Sequence, residues 1–502
     1  MTQTLPHQLQ QARSAHALNI LVPILYISFA LAMALFSTGF LEADEITHFL
    51  YARAIWHDPY ALVSIWGRMG CSALFGLAAT RGILAARLLA VGVTLLTAHG
   101  TATLLRYFTH DASANSPAWL RRHATALAWV LFFAQPCVLL NSFTVMTEML
   151  LACCWVWAAV VAARFDSRRG LLLAGFILGI GGIMRPEGWL AIAAWPLWAA
   201  AYRASGSKNL RPEIPTVLAS TFLAGAWPLA WYLIGAHVWK RWDWVIAAWP
   251  WAARSPYGKT AGLFVLSSLA ALAFWMWVPV VAAGRSLWKS RSRQGLALLV
   301  APALAFFLAH GILGSAGLFG SLSLPRYFQA IAPMIAVLAA MGLGRFSPDG
   351  PLPNILRRIT PLCLLPLLAL AALRLLPMQA VTEQQRLDVI IAAVQARHPS
   401  PGQLLIRHPY PLLRLNLDLN SPAQTRIFHD DQIAAAPPGT LLIMDSTVWD
   451  YENCPRPEKL IQWGYVADEE SARKVDAIPQ RFEPLSFQRA TDLRVRLWVK
   501  QR

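Results

Sequence analysis

The chain has 502 residues and a formal net charge of +17, and 56% of its residues are hydrophobic while only 14% are charged. An ordinary soluble domain does not need so much apolar surface even for a large core, so the composition predicts an integral membrane protein. The basic residues form short clusters between apolar runs, which is a topology signal and argues against nucleic acid as a partner. The six cysteines form neither a disulfide framework nor a zinc pattern.

Apolar stretches of spanning length recur through most of the chain. We predict about eleven spans, give or take two, at 17–38, 82–105, 124–141, 144–163, 170–184, 188–202, 215–236, 262–284, 296–313, 327–344 and 359–376. The loops between them alternate in basic content, so the positive-inside rule puts the N-terminus in the cytoplasm and the C-terminus outside. We therefore expect residues 1–376 to form an all-α polytopic membrane fold.

Residues 377–502 differ in character, because they are richer in charge and proline and contain no span. A helical pattern covers roughly 382–397, and the apolar run 441–444 indicates a buried strand. Apolar and polar residues alternate over 493–499, as is typical of a half-buried strand. We expect a small extracytoplasmic α/β domain here.

A run of charged residues follows the first span at 42–53. Its apolar residues recur at helical spacing, namely Ile46, Phe49, Leu50 and Ala54. A helix lying on the membrane surface would bury them and turn its charged face to water. On that helix Asp44 and His48 are one turn apart and share a face, whereas Glu45 is rotated by about 100°. A solvated cap at a helix start, where Asp and Glu are common, is the competing interpretation.

Further polar residues occur where the predicted spans meet the same outer side. They are Glu148, Arg185, Glu187, Lys240, Tyr257, Arg326 and Tyr327. A charged side chain inside the hydrocarbon costs about 2.5–3.5 kcal/mol on insertion scales, so such residues usually have partners or a function. Snorkelling to the interface is the alternative for each of them, and it applies best to Lys240.

Carboxylates on a surface helix, with cations nearby at the bilayer boundary, suit a sugar donor linked to a lipid phosphate. The lipid tail of such a donor stays in the membrane and its phosphate lies at the interface. There an arginine can neutralise the leaving group, and a carboxylate can take the proton of the acceptor. The sequence has no Gly-x-Gly-x-x-Gly or phosphate-binding loop, so no nucleotide site is predicted.

The acidic pair Asp44-Glu45 resembles one found directly after the first span in the GT-C superfamily of polyprenyl-phosphate-dependent glycosyltransferases. Protein O-mannosyltransferases, the lipid A aminoarabinose transferase and the mannosyltransferases of glycolipid-anchor and N-glycan assembly carry it. The stretches 141–148, 185–188 and 255–258 are similar to elements of the last group. The resemblance covers essentially the whole membrane part and implies a fold of many spans with surface helices after the first.

One stretch departs from that pattern. The glycolipid-anchor mannosyltransferases have His-Lys-Glu-x-Arg-Phe near the tenth span, whereas residues 322–328 keep only Arg326 and the aromatic residues that follow it. The subfamily and the sugar are therefore open. The resemblance implies that Asp44 is the general base, that Glu45 is a second acid orienting it or the acceptor, and that Arg326 contacts the donor phosphate. The other residues expected to bind substrate are His48, Glu148, Arg185, Glu187, Lys240, Tyr257 and Tyr327.

The predicted function is transfer of a sugar, with inversion, from a polyprenyl-phosphate donor to a hydroxyl of a lipid, glycan or protein. The expected location is a bacterial inner membrane, with the active site on the periplasmic side. A transporter or flippase of a lipid-linked saccharide is the main alternative, but inverted repeats and midplane charges, which would favour it, are not visible. A structural membrane subunit is another. The histidines do not cluster as ligands, so no metal site is predicted, and a dependence on a divalent metal is left open. Membrane lipids are further expected partners.

Overall fold

The structure is a computed structural model. It describes residues 5–64, 68–111, 116–165, 167–206, 214–240, 242, 269–315, 325–346, 352–400, 402–417, 419, 430–445, 455–479 and 495–501. The predicted site residue Tyr257 and the first seven residues of the predicted span 262–284 lie outside these ranges.

The described chain is mainly helical. Its helices up to residue 240 are α1 (Leu5–Phe36), α2 (Ala43–Ala54), α3 (Met69–Ala79), α4 (Ile83–Arg106), α5 (Ala118–Arg122), α6 (Ala124–Phe133), α7 (Pro136–Asn141), α8 (Glu148–Arg164), α9 (Arg168–Met184), α10 (Gly188–Gly206) and α11 (Ile214–Val238). Later helices are Trp277–Lys289, Ala301–Ser315, Ala332–Phe346, Leu352–Ala372, Thr382–Arg397, Pro409–Arg414, Asp430–Ala434, Pro457–Gln462 and Glu469–Asp476. Short 3-10 turns lie at Pro59–Val63, Phe274–Met276 and Pro325–Ile331.

Several helices are apolar enough to cross a bilayer, which supports an integral membrane protein. In the described residues, four reach at least 18 residues with the required hydropathy: Arg13–Phe36, Ile83–His110, Ile214–Val238 and Arg326–Arg345. α8 and α9 have 17 residues each, which is the lower limit for a span. Five shorter apolar helices accompany them. The total of eleven spans stays a prediction.

The predicted span 124–141 is not one continuous helix. α6 ends at Phe133, and α7 begins at Pro136, which occupies the first position of the new helix. Proline has no backbone N–H to donate, so it is tolerated at a helix start but interrupts a helix interior. The predicted span 144–163 also begins later than expected, because α8 starts at Glu148.

Close helix contacts depend on glycine, and two examples bring one helix onto the backbone of another. A Cβ on Gly175 would lie 2.3 Å from the Ser220 carbonyl oxygen, and one on Gly342 would lie 1.9 Å from that of Pro279. α9 therefore packs directly on the backbone of α11, and the helix Ala332–Phe346 on that of Trp277–Lys289. Any side chain at these positions would force the helices apart, as is typical of small residues at helix interfaces in membranes.

The C-terminal part contains a four-stranded sheet in the order β1 (Leu404–Ile406), β2 (Leu441–Asp445), β4 (Val495–Lys500), β3 (Tyr465–Ala467). β1 and β2 are parallel, whereas β4 is antiparallel to both of its neighbours. The helix at 382–397 and the buried strand at 441–444 are confirmed. The strand expected at 493–499 is β4, but its strict alternation is wrong: Leu497 and Trp498 are both buried, because both faces of this strand are covered.

The C-terminal part is attached to the segment that carries the acidic pair. The Gln384 side chain accepts a hydrogen bond from the Phe40 N–H (3.3 Å) and donates one to its carbonyl (3.2 Å). Arg53, in the last turn of α2, donates to Asn416 Oδ1 (2.9 Å) and to the Leu417 carbonyl (2.6 Å). Both ends of this segment are therefore held by residues more than 340 positions further along the chain.

Candidate active site

α2 forms as its sequence pattern predicts. The chain is extended at Glu42 and turns helical at Ala43. Ile46, Phe49 and Leu50 are at most 1% exposed, and each such burial contributes about 1.5–3 kcal/mol of transfer free energy. Because these residues fix the rotation of the helix, Asp44 is left on the exposed side.

Arg326 brings three carboxylates together. It lies in the 3-10 turn Pro325–Ile331, and its side chain is almost fully buried. Nη1 pairs with Glu42, Nη2 lies 2.5 Å from Asp44 Oδ2, and Nε lies 3.0 Å from Glu148 Oε1. Asp44, Glu148 and Arg326, predicted separately, are thus direct neighbours. Glu42 is the member that sequence reasoning missed, although it lies just two residues before Asp44.

Arg185 extends this network. Its guanidinium lies 2.7 Å from Glu148 Oε1 and 2.7 Å from Glu187 Oε1, and it donates to Thr147 Oγ1 at 2.8 Å. The Tyr327 ring lies 4.5 Å from the Arg185 guanidinium carbon and 5.6 Å from that of Arg326. Tyr327 is therefore a shared aromatic neighbour of both cations.

The network carries more negative than positive charge when all its groups are ionised. Four carboxylates, those of Glu42, Asp44, Glu148 and Glu187, face the two guanidinium groups of Arg185 and Arg326. Glu148 is fully buried, and its Oε1 is shared between both arginines. Asp44 differs from the rest, because 54% of its side chain is exposed. It is the carboxylate of this network that an incoming molecule meets first.

Glu42 and Asp44, which pair with the two terminal nitrogens of Arg326, have different proton affinities. Burial raises the pKa of Glu42 to about 7, with the charges of Asp44 and Glu148 adding to the effect and Arg326 opposing it. For Asp44, desolvation acts in the same direction, but the charge and the hydrogen bond of Arg326 outweigh it and the pKa lies below its ordinary value. Environments that shift the pKa values of two neighbouring carboxyl groups in opposite directions are typical of acid–base sites. Asp44 is ionised at neutral pH and can accept a proton.

Glu45 belongs to a different cluster. Its Oε2 accepts the Leu41 N–H at 2.8 Å, and its Oε1 lies 3.1 Å from Arg87 Nε. Arg87 also donates to the carbonyls of Ser37 (2.8 Å) and Gly39 (2.6 Å). Glu45 is fully buried, so it fastens the start of α2 to α4 and does not face the exposed side. An arginine in the apolar run 82–105 was the sequence signal for such a partner.

The remaining predicted residues are less tightly joined to the network. His48 is 7% exposed, and its Nδ1 has no hydrogen-bond partner in the described part of the chain. Burial lowers its pKa to about 4, so the ring is neutral at pH 7. Lys240 is exposed beyond the end of α11, and the ion pairs found among the described residues do not include it. A role for Lys240 in substrate binding stays a prediction.

Three possible metal ligands meet in the C-terminal part, where Glu383, His408 and Asp445 have ligand atoms within 4.8 Å of one another. His408 Nδ1 accepts the Tyr410 N–H at 3.0 Å, and its Nε2 lies 3.3 Å from Glu383. A neutral ring in this position carries its proton on Nε2. A metal on Nε2 would move that proton to Nδ1, where the Tyr410 N–H already points. The helix cap therefore disfavours a metal at this histidine.

No family model and no curated protein matches the chain. Among solved structures, it is similar to ArnT from Cupriavidus metallidurans in the apo state, with 14% identity, a TM-score of 0.49, and coverage of 80% of this chain and 68% of that one. It is also similar to the Archaeoglobus fulgidus oligosaccharyltransferase in complex with Zn and sulfate, with 15% identity, a TM-score of 0.41, and coverage of 71% and 52%. Both superpositions are loose, so function is argued from the contacts of this chain.

Proposed function

We propose that the chain is a membrane glycosyltransferase of the GT-C kind. It transfers a sugar from a polyprenyl-phosphate donor to a hydroxyl of a lipid, glycan or protein, at the outer face of a bacterial inner membrane. The observation that carries the proposal is Asp44: a half-exposed, ionised carboxylate in a mostly buried ion-pair network, placed shortly after the end of the first apolar helix. A helix cap alone would not need a buried arginine and three further carboxylates behind it.

In the proposed step, Asp44 takes the proton of the acceptor hydroxyl. The hydroxyl oxygen attacks the anomeric carbon of the donor sugar from the side opposite the phosphate. The bond between that carbon and the phosphate oxygen breaks, and the phosphate leaves with the electron pair on its lipid. One bond forms as one breaks, the configuration is inverted, and no further reactant is needed. A positioned base contributes about 10² to 10⁴ to such a rate.

Arg326 takes a positioning role in this proposal, instead of the phosphate contact expected from the resemblance. Its nitrogens already pair with Glu42, Asp44 and Glu148. A phosphate would have to compete with all of these carboxylates for the same guanidinium. Arg326 instead orients Asp44 and keeps it ionised. Glu45 acts further back, through Arg87, on the position of α2.

The test is turnover of a radiolabelled polyprenyl-phosphate sugar by the purified protein in detergent, with Asp44→Asn beside the wild type. Asn keeps the shape of the side chain and cannot accept the proton, so turnover should fall by about 10² to 10⁴ while donor binding changes little. Glu470→Gln is the matched control, because Glu470 is an exposed carboxylate on the helix Glu469–Asp476. Wild-type turnover in Asp44→Asn would show that Asp44 is not the general base. Passage of the intact lipid-linked saccharide across vesicles without transfer would favour the flippase.

A further inference from the structure

The proposed reaction needs a cation for the leaving phosphate, and the two arginines of the network are already engaged. Arg326 pairs with three carboxylates and Arg185 with two. Arg68 is different. In the described part of the chain, no carboxylate oxygen lies within 4.0 Å of its guanidinium. It is half-buried, and its charge is therefore available to an anionic ligand.

Arg68 lies beside the network. It directly precedes α3, and its neighbour Met69 clusters with Ile183 and Tyr232. A Cβ on Gly70 would lie 2.7 Å from Met184 Sδ, so the start of α3 packs against the residue next to Arg185. Desolvation opposes the ionisation of Asp44, whereas the charges of Arg326 and Arg68 favour it. The Arg68 guanidinium is thus within electrostatic reach of Asp44.

The backbone at Arg68 is strained. Its φ of 54° and ψ of 92° lie in the positive-φ part of the Ramachandran map, which residues other than glycine rarely adopt. The segment before it, residues 65–67, lies outside the described ranges. Strain of this kind costs about 1–3 kcal/mol and persists where the surroundings demand a particular side-chain direction. Residues with such strain cluster at active sites and ligand clamps, which makes Arg68 a candidate for a functional role.

His48 provides the second group. It lies one turn along α2 from Asp44 and is only 7% exposed. Its Nδ1 has no hydrogen-bond partner among the described residues. A buried polar atom in that state is costly unless something satisfies it. A neutral imidazole can donate to a phosphate oxygen through one nitrogen. The charge of Arg68 acts on His48 as well as on Asp44.

We propose that Arg68 and His48 form the subsite for the phosphate of the lipid donor, an assignment that rests on the proposed function. Arg68 presents a planar fork that matches two phosphate oxygens, and it stabilises the negative charge that the phosphate gains as the sugar leaves. His48 supplies a neutral hydrogen bond. Separating this subsite from Arg326 keeps the phosphate away from the carboxylates Glu42 and Glu148 and leaves Asp44 for the acceptor.

The test measures binding of undecaprenyl phosphate to the purified full chain in detergent, with undecaprenol as the uncharged probe and inorganic phosphate as competitor. Arg68→Gln should weaken binding of undecaprenyl phosphate by about tenfold to hundredfold and leave undecaprenol unchanged. Arg68→Lys keeps the charge but loses the fork, so a loss of about threefold to tenfold is expected. His48→Phe should also weaken binding of the phosphate. Arg81→Gln, an exposed arginine beyond the other end of α3, is the matched control and should bind as the wild type.

Equal affinity of the wild type and Arg68→Gln for undecaprenyl phosphate would overturn the subsite. If Arg68→Gln does not fold, Arg68→Lys decides in the same way, and wild-type affinity in that variant is the contrary result. Strong competition by inorganic phosphate would show that the phosphate is recognised without its lipid. The two proposals can fail separately. Sugar transfer together with unaltered binding in the Arg68 variants would contradict only the subsite. Arg68-dependent binding without any sugar transfer would contradict the proposed glycosyltransferase activity.

Discussion

Glu42 and Asp44 share one guanidinium, yet their carboxyl groups are exposed to different extents, 27% and 54%. The more buried of the two, Glu42, holds its proton to about pH 7, whereas the ordinary value for the group is 4.5. The folded state therefore binds this proton more tightly than the unfolded chain does. Its contribution to stability is complete below about pH 4.5 and is lost as the pH rises through 7.

The corresponding prediction concerns Glu42→Gln, which resembles the protonated carboxyl group at every pH. Between pH 5 and pH 8 the wild type should lose about 2 kcal/mol of stability relative to this variant, since each pKa unit corresponds to about 1.4 kcal/mol and part of the shift is screened. Thermal unfolding in detergent at four pH values measures the difference. Parallel curves for the two proteins would show that Glu42 does not titrate in this range.

At the scale of elements, the start of α2 is held to α4 by a buried ion pair. Glu45 and Arg87 are both nearly inaccessible, and Arg87 also supports the carbonyls of Ser37 and Gly39. Removing one partner of a buried pair leaves the other charge unpaired, which costs about 3–5 kcal/mol. We therefore expect Glu45→Ala to lower thermal stability strongly and to lose activity mainly through misplacement of α2.

This prediction separates the two members of the acidic pair. Asp44→Asn should lose turnover at nearly unchanged stability, and Glu45→Ala should lose stability first. Measuring both quantities on both variants, with Glu470→Ala as the exposed control, makes the comparison. A stable Glu45→Ala protein without turnover would instead indicate that Glu45 acts directly in catalysis, as the resemblance first implied.

Much of α2 could be predicted, because Ile46, Phe49 and Leu50 carry its helical period in a single short window. The pairing of Glu42 with Arg326 could not, since the two residues are 284 positions apart and no local pattern reports such a contact. The same limit applies to β4, whose second buried face depends on which helices cover the sheet. Glu45 lies in a different environment because it pairs with Arg87 on α4. The position of α4 relative to α2 depends on tertiary packing, so this pairing could not be predicted either.

At the scale of the whole molecule, α4 connects the site to the opposite end of the helices. Near its start, Arg87 contacts the carbonyls of Ser37 and Gly39 beside the network. Just beyond its end, Tyr107 donates to Gln294 at 3.2 Å. The 24 residues of α4 rise by about 36 Å, which exceeds the hydrocarbon thickness of about 30 Å. We therefore expect the site and the segment near Gln294 to lie on opposite sides of the membrane.

The topology prediction follows from that distance together with the charge pattern. Basic residues surround the far end of α4, including Arg106, Lys289 and Arg291, so this side is expected to be cytoplasmic. The C-terminal part is bonded to Arg53 and Phe40 near the site, so Glu458 should be outside together with His57. Single cysteines at His57, Glu458 and Ser290, all exposed positions, are introduced after Cys454→Ser. An impermeant thiol reagent applied from the periplasmic side should label the first two and leave Ser290→Cys unmodified until the membrane is opened. Labelling of Ser290→Cys in intact cells together with His57→Cys would contradict this arrangement, and labelling of Ser290→Cys alone would invert the orientation and place the site in the cytoplasm.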